Sequence, residues 1–210
     1  GNLSMVERLP FNRPNDLMDG AIERIHPRRG INIGTLNIAG IKTKKTELRW
    51  LLNKHRIRCM ALQETLHTPQ QWAVRLPGYR WFGSHCRMDR GPSERGVAIV
   101  VSQKLSAQVV GTPNAWMVFV RIFGDELDQP HILGSVYLPC REAREAKILL
   151  RAEVANLKGK FPRDPIIMLG DYNLEKRQLL QVIREWPNAA ALEILDPLSA
   201  RGTRRNSSRT

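Results

Sequence analysis

Ile166-Ile167-Met168-Leu169-Gly170-Asp171-Tyr172-Asn173 is the stretch from which the rest of the chain is read. Four bulky apolar residues run into a glycine, and then an acid and an amide stand two positions apart. A short apolar run bounded by turn residues reads as a buried strand. Gly170 is expected to let the chain turn sharply where that strand leaves the core. Asp171 and Asn173 then fall at the strand's exit, on a loop held by a rigid scaffold, where functional side chains concentrate. Taken alone, the stretch also reads as a strand followed by an ordinary polar turn, since Asp and Asn are common turn residues. The same arrangement recurs earlier in the chain, and the recurrence favours function.

Working outward, Ile31 to Asn37 is a second strand-like run, ending in an amide with Gly40 just beyond. Thr46 to His55 places its apolar residues on one helical face. Cys59 to Glu64 is again a short apolar run ending in an acid. Strand, helix, strand predicts parallel neighbours, which bring Asn37 and Glu64 to one edge. Tyr79 to Gly83, Gly96 to Val101, Ala107 to Val110 and Trp116 to Phe123 read as further strands. Trp116 to Val120 is apolar on both faces and belongs inside a sandwich. His131 to Tyr137 is another strand, followed by Leu138-Pro139-Cys140. Arg141 to about Lys158 carries an apolar stripe of Ala146, Leu149, Leu150, Val154 and Leu157. Glu175 to Trp186 is a second clear helix, closed by Pro187. Trp72 is placed on a short helix. Residues 1–29 read as a flexible leader, tethered or partly ordered, 30–205 as the folded domain, and 206–210 as a basic tail.

The length of 210 residues suits one domain with tails, and the net charge of +13 favours a polyanionic partner. The charge is uneven. From Ile31 to Met60 there are seven bases against one acid, whereas Phe161 to Ala200 holds four bases and six acids. The basic excess near the first strand–helix unit can track a phosphate backbone, and a solvated helix face explains part of it equally well. No apolar run approaches the roughly 20 residues that span a bilayer, so no membrane partner is expected. The three cysteines form no closely spaced pair, which argues against a zinc site or a disulfide framework and for a reducing intracellular compartment. The chain begins at Gly1 without a signal-peptide core and is read as a piece of a longer one.

Four strands thus end in Asn37, Glu64, Tyr137 and the pair Asp171/Asn173. Two carboxylates with carboxamides make a hard-oxygen set suited to Mg²⁺ or Mn²⁺. On a basic chain the natural reaction is phosphodiester hydrolysis. Glu64 would hold the metal. Asp171 would orient or deprotonate a water, and Asn173 and Asn37 would fix positions. Tyr137 would donate a hydrogen bond to developing charge. Singly, each is an ordinary strand-end polar residue.

Taken in order, Thr35-Leu36-Asn37-Ile38-Ala39-Gly40, Leu62-Gln63-Glu64-Thr65, Arg95-Gly96-Val97-Ala98-Ile99, Val136-Tyr137-Leu138-Pro139 and Leu169-Gly170-Asp171-Tyr172-Asn173 resemble the endonuclease/exonuclease/phosphatase superfamily. That is the fold of exonuclease III, DNase I and the apurinic endonucleases. More narrowly, Gly34 to Asn53 and Ala61 to Gly83 look like the endonuclease domain of LINE-type (non-LTR) retrotransposons. The resemblance implies an α/β fold, a four-layer sandwich of two mixed β-sheets flanked by helices. It also implies Mg²⁺-dependent cleavage of a DNA strand leaving a 3′-hydroxyl, with a fused or separate reverse transcriptase as partner and the nucleus as location. Residue by residue, it makes Glu64 the metal-ligand glutamate and Asn37 the first-strand asparagine beside the metal. Tyr137 becomes the active-site tyrosine, Asp171 the aspartate that aligns the water, and Asn173 its neighbour. Lys42, Lys44, Lys45 and Arg95 are the expected nucleic-acid contacts.

Two departures stand against the pattern. Cys140 takes a place where the family usually has Asn, and a thiol replaces an amide poorly. The family's last strands, with a second aspartate and a phosphate-contacting histidine, fall beyond Thr210, and none of the five histidines sits in a matching context. His131 is expected in a strand or turn and the others on the surface. Without the final strands, open sheet edges are expected, which another chain's strands would pair. Alternatives to an active nuclease are a catalytically impaired nucleic-acid-binding remnant and a phosphatase of the same superfamily.

Overall fold

Alternating and helical apolar patterns resolve into nine strands and three helices among the described residues. The computed structural model describes residues 20–25 (as backbone), 31–68, 74–84, 96–140, 143–174, 176–184 and 186. In chain order the elements are β1 (Gly20–Ile25), β2 (Ile31–Asn37), α1 (Lys45–Lys54), β3 (Ile57–Gln63), β4 (Tyr79–Gly83), β5 (Val97–Ser102) and β6 (Ser106–Asn114). There follow β7 (Met117–Phe123), β8 (His131–Tyr137), α2 (Ala143–Lys160), β9 (Ile166–Asp171) and α3 (Lys176–Arg184). The first sheet runs β1-β2-β3-β5-β4 and the second β6-β7-β8-β9. Both are mixed, with β2 parallel to β3 and β8 parallel to β9.

The period of two along each strand sorts the core into three apolar layers. Ile31, Ile33, Cys59, Ala61, Val97, Ile99 and Val101 face Val118, Val120, Ile122, Leu133 and Leu169 between the sheets. The alternate residues Leu36, Met60, Leu62, Ala98 and Val100 pack under Leu48, Leu51 and Leu52 of α1. On the far side Met117, Phe119, Ile132 and Val136 meet Ala146, Leu150, Val154 and Leu157 of α2 and Leu179 of α3. Helix, sheet, sheet, helices is the four-layer α/β sandwich expected. Every residue of β5 is buried because this strand has a layer on each side.

The 20–25 stretch, inside the leader read as tethered or partly ordered, pairs antiparallel with β2. Three details depart from the sequence expectations. Leu149 is 40% exposed, because the helical period carries it off the stripe held by Ala146 and Leu150. His67, expected on the surface, is buried, its ring centroid 6.1 Å from that of Trp81. Gly170 makes no turn. It lies within β9, where a Cβ would come 1.9 Å from the Val136 carbonyl oxygen, so glycine there permits close approach of β8 and β9. Trp72, Arg95, His26, His85 and the tail lie outside the described residues.

Candidate active site

On all four strands that end at the site, the face between the sheets changes from apolar to polar at the same level. In β2 the series Ile31, Ile33 continues to Thr35 and Asn37. In β3 Cys59 and Ala61 continue to Gln63, in β8 Leu133 continues to Ser135 and Tyr137, and in β9 Leu169 continues to Asp171. Register aligns the ends: Asn37 stands opposite Gln63, and Tyr137 opposite Asp171. The mouth of the sandwich therefore collects polar groups from both sheets.

Beneath it runs a buried polar relay. Thr35 Oγ1 donates to Gln63 Oε1 at 3.2 Å. Gln63 Nε2 donates to Ser135 Oγ at 3.1 Å, and Ser135 Oγ donates to the Leu62 carbonyl at 2.8 Å. All three side chains are buried, so their hydrogen bonds are geometrically demanding: an unmet partner there costs about 1–3 kcal/mol. The relay ties β2 and β3 of one sheet to β8 of the other, one or two residues before Asn37, Glu64 and Tyr137. The sequence reading missed these residues. Their signal was a polar residue at an inward position of an otherwise apolar strand end.

Above the relay, Asn37 joins the two acids. Its Nδ2 donates to Glu64 Oε1 at 2.9 Å and to Asp171 Oδ2 at 3.2 Å. The Ala39 N–H donates to Asn37 Oδ1 at 3.2 Å, which sets the orientation of the amide. Asp171 is 7% exposed, and its other oxygen accepts the Asn173 N–H at 3.1 Å. Asn173 Nδ2 donates to the Leu138 carbonyl at 3.0 Å, and the Leu138 N–H donates to the Asp171 carbonyl at 2.9 Å. The loops after β8 and β9 are thereby laced together.

Continuing the alternation of β3 would send Glu64 toward α1. Its φ of 51° breaks the alternation instead, and the carboxylate reaches Asn37. Ala39, Leu66 and Asn173 also have positive φ, at 45°, 50° and 47°. A non-glycine residue in this region costs about 1–2 kcal/mol, less for Asn. Such outliers at one end of the strands fit a functional edge. The Gly40 N–H donates to the Glu64 carbonyl at 2.8 Å, and the Thr65 N–H to the Gly96 carbonyl at 2.9 Å, so the turn is held from both sides.

Tyr137 is half-buried at the end of β8, opposite Asp171. Burial first, and then the nearby charges of Glu64 and Asp171, push its pKa up to about 12. The phenol therefore stays a donor throughout the neutral range. Asn37 joins Glu64 and Asp171, the Asn173 N–H binds Asp171, and Tyr137 stands opposite Asp171 in register. Lys42 and Lys45 are exposed at the start of α1. Lys44 is turned to a structural use, its Nζ donating to the Ile38 carbonyl at 2.6 Å.

The donor set suits a hard divalent cation. It offers two carboxylates, and among the described residues no group of three or more His, Cys, Asp or Glu gathers as a zinc-type site would require. Mg²⁺ keeps several waters and takes one or two carboxylates with substrate oxygens. Glu64 is the residue that would hold it, with Asp171 close by to orient a water. Asn37 turns its NH₂ group, not its oxygen, toward the carboxylates, so a ligand role for it requires the amide to turn over.

Among curated proteins, none matches the chain in sequence. Among solved structures, the endonuclease domain of TRAS1, a telomere-specific non-LTR retrotransposon, is similar with a TM-score of 0.53 and 18% identity, over 72% of this chain and 68% of that one. The catalytic domain of Xenopus laevis APE2 is similar with a TM-score of 0.52 and 22% identity, over 70% of this chain and 60% of that one. Both likenesses show the shared fold. The family model described as Endonuclease/Exonuclease/phosphatase family matches residues 34–204, and the chain belongs to that family.

Proposed function

We propose that the chain is a divalent-cation-dependent phosphodiesterase that nicks a DNA strand to leave a 3′-hydroxyl, in the manner of a retrotransposon endonuclease. The observation that carries this is the convergence of Glu64, Asp171, Asn37 and Tyr137 from two sheets onto one edge. The charge of +13 supports a polyanionic substrate, and the likeness to the endonuclease domain of TRAS1 supports DNA among such substrates.

A bound Mg²⁺ or Mn²⁺ supplies charge neutralisation at the phosphoryl and leaving oxygens. The chain's own groups do the rest. Glu64 is the anionic anchor for the cation, and Asn37 holds its carboxylate in place. Asp171, fixed by Asn37 and the Asn173 N–H, accepts a hydrogen bond from the attacking water and takes its proton. The protonated Tyr137 can donate to a phosphoryl oxygen as negative charge builds. Asn173, tied to the Leu138 carbonyl, keeps the β9 exit loop in register with β8. A reverse transcriptase that extends the 3′-hydroxyl is the partner this function calls for, and the nucleus is the location.

The test is a labelled duplex oligonucleotide incubated with the chain and Mg²⁺, the cut ends then being offered to a polymerase. Extension of the nicked strand is the predicted result. Release of phosphate from a small ester with the duplex left whole would replace this function with that of a phosphatase.

A further inference from the structure

We propose that the outer face of α1 is a track for single-stranded nucleic acid, running from the active-site edge down the flank of the domain. This rests on the substrate class proposed above but not on cleavage. The helix buries Leu48, Leu51 and Leu52 and turns Lys45, Arg49, Trp50, Asn53 and Lys54 outward, with Lys42 and Arg56 exposed just before and after it. Between Lys42 and Arg56, Glu47 is the one acid. Trp50 is 55% exposed, with the Lys54 Nζ 4.3 Å from its ring centroid.

The track joins the site through its start. Asn37 ends β2, and Lys44 clips the following loop by donating to the Ile38 carbonyl. From there α1 descends about 15 Å, at 1.5 Å per residue, away from the catalytic edge. Cations spaced along such a path follow phosphates, and an exposed aromatic ring offers a stacking platform for one base. A duplex presents phosphates but keeps its base faces stacked, so Trp50 favours an unpaired segment. An anionic membrane fits less well: a helix lying on a bilayer sinks a broad apolar face into it, and the apolar face of α1 is already occupied by the core.

The test is fluorescence anisotropy with the full chain in chelator, so that no cutting occurs. The probes are an oligothymidylate of about 12 nucleotides and a duplex of equal length. Trp50→Ala is expected to weaken single-strand binding about ten-fold and leave duplex binding within about two-fold. The double variant Arg49→Glu/Lys54→Glu is expected to weaken single-strand binding and lower its salt slope by about 1.4, from two lost phosphate contacts. Both residues are exposed, so circular dichroism should match the parent. Unchanged single-strand affinity in both variants would overturn the proposal. Loss of binding to phosphatidylserine vesicles, with oligonucleotide binding intact, would assign the face to membranes instead. Failure of cleavage with the Trp50 effect present would count against the nuclease function and leave the track standing.

Discussion

Asn37 Nδ2 lies 2.9 Å from Glu64 Oε1 and donates to it, although the two residues come from neighbouring parallel strands with a helix between them in sequence. The same nitrogen reaches Asp171 in the other sheet at 3.2 Å. One neutral amide thus stands between two carboxylates, holding both while separating like charges. Asn37→Asp replaces that donor with a third anion. Cleavage is expected to fall about 10–100-fold, with the Mg²⁺ concentration for half-maximal rate rising, as when an outer partner of a metal ligand is lost. A metal titration of the rate checks it. An unchanged half-maximal concentration would mean that Asn37 does not organise Glu64.

All three tyrosines are shifted upward: Tyr79 and Tyr172 by burial, and Tyr137, to about 12, by burial and the nearby carboxylates. The folded chain should therefore show little phenolate absorbance at pH 10, where free tyrosine is half-ionised. The sign for stability follows. A raised folded pKa means the folded state holds its proton more tightly, so this stabilisation is whole below pH about 10 and lost as pH rises toward 12. Tyr137→Phe should lose less stability over that window than the parent chain. A full phenolate signal at pH 10 in the folded protein would contradict the site geometry.

The Thr35–Gln63–Ser135 relay predicts coupling between stability and catalysis. Ser135→Ala leaves the Gln63 amide without its partner and should cost about 1–3 kcal/mol in urea denaturation. Cleavage should fall further than the unfolded fraction explains, because the level of β8 against β3 sets where Tyr137 and Asp171 stand relative to Glu64. Cleavage that follows the folded fraction alone would reduce the relay to packing.

Two glycine substitutions should move stability in opposite directions. Gly170→Ala puts a Cβ against the Val136 carbonyl and should cost about 3 kcal/mol, the upper end of overpacking. Gly159→Ala, in α2 with open space around it, should gain about 0.5–1 kcal/mol. Thermal melts decide both.

Much of this was legible in the sequence because strand periodicity carries it. The alternation Ile31, Ile33, Thr35, Asn37 already states which residues face inward and where the core gives way to polar groups. The strand–helix–strand order from Asn37 to Glu64 implies parallel pairing. Less legible were features that depend on the second sheet. Nothing local to Gln63 or Ser135 shows that each meets the other across 72 residues. Gly170 looked like a turn residue because local sequence cannot show the Val136 carbonyl pressing on it. Glu64 lies one position past the inward face of β3, and only its left-handed φ explains how it enters the site.

If Glu64 and Asp171 act together in one cation-dependent hydrolytic site, each is needed for strand cleavage. Nicking of supercoiled plasmid by the 210-residue chain in Mg²⁺, beside Glu64→Ala and Asp171→Ala, tests it most directly. Relaxed circles are expected from the parent chain, none with chelator, and a rate at least about 100-fold lower in each variant. Nicking that survives both substitutions, or no nicking by the parent chain with DNA binding retained, would contradict it.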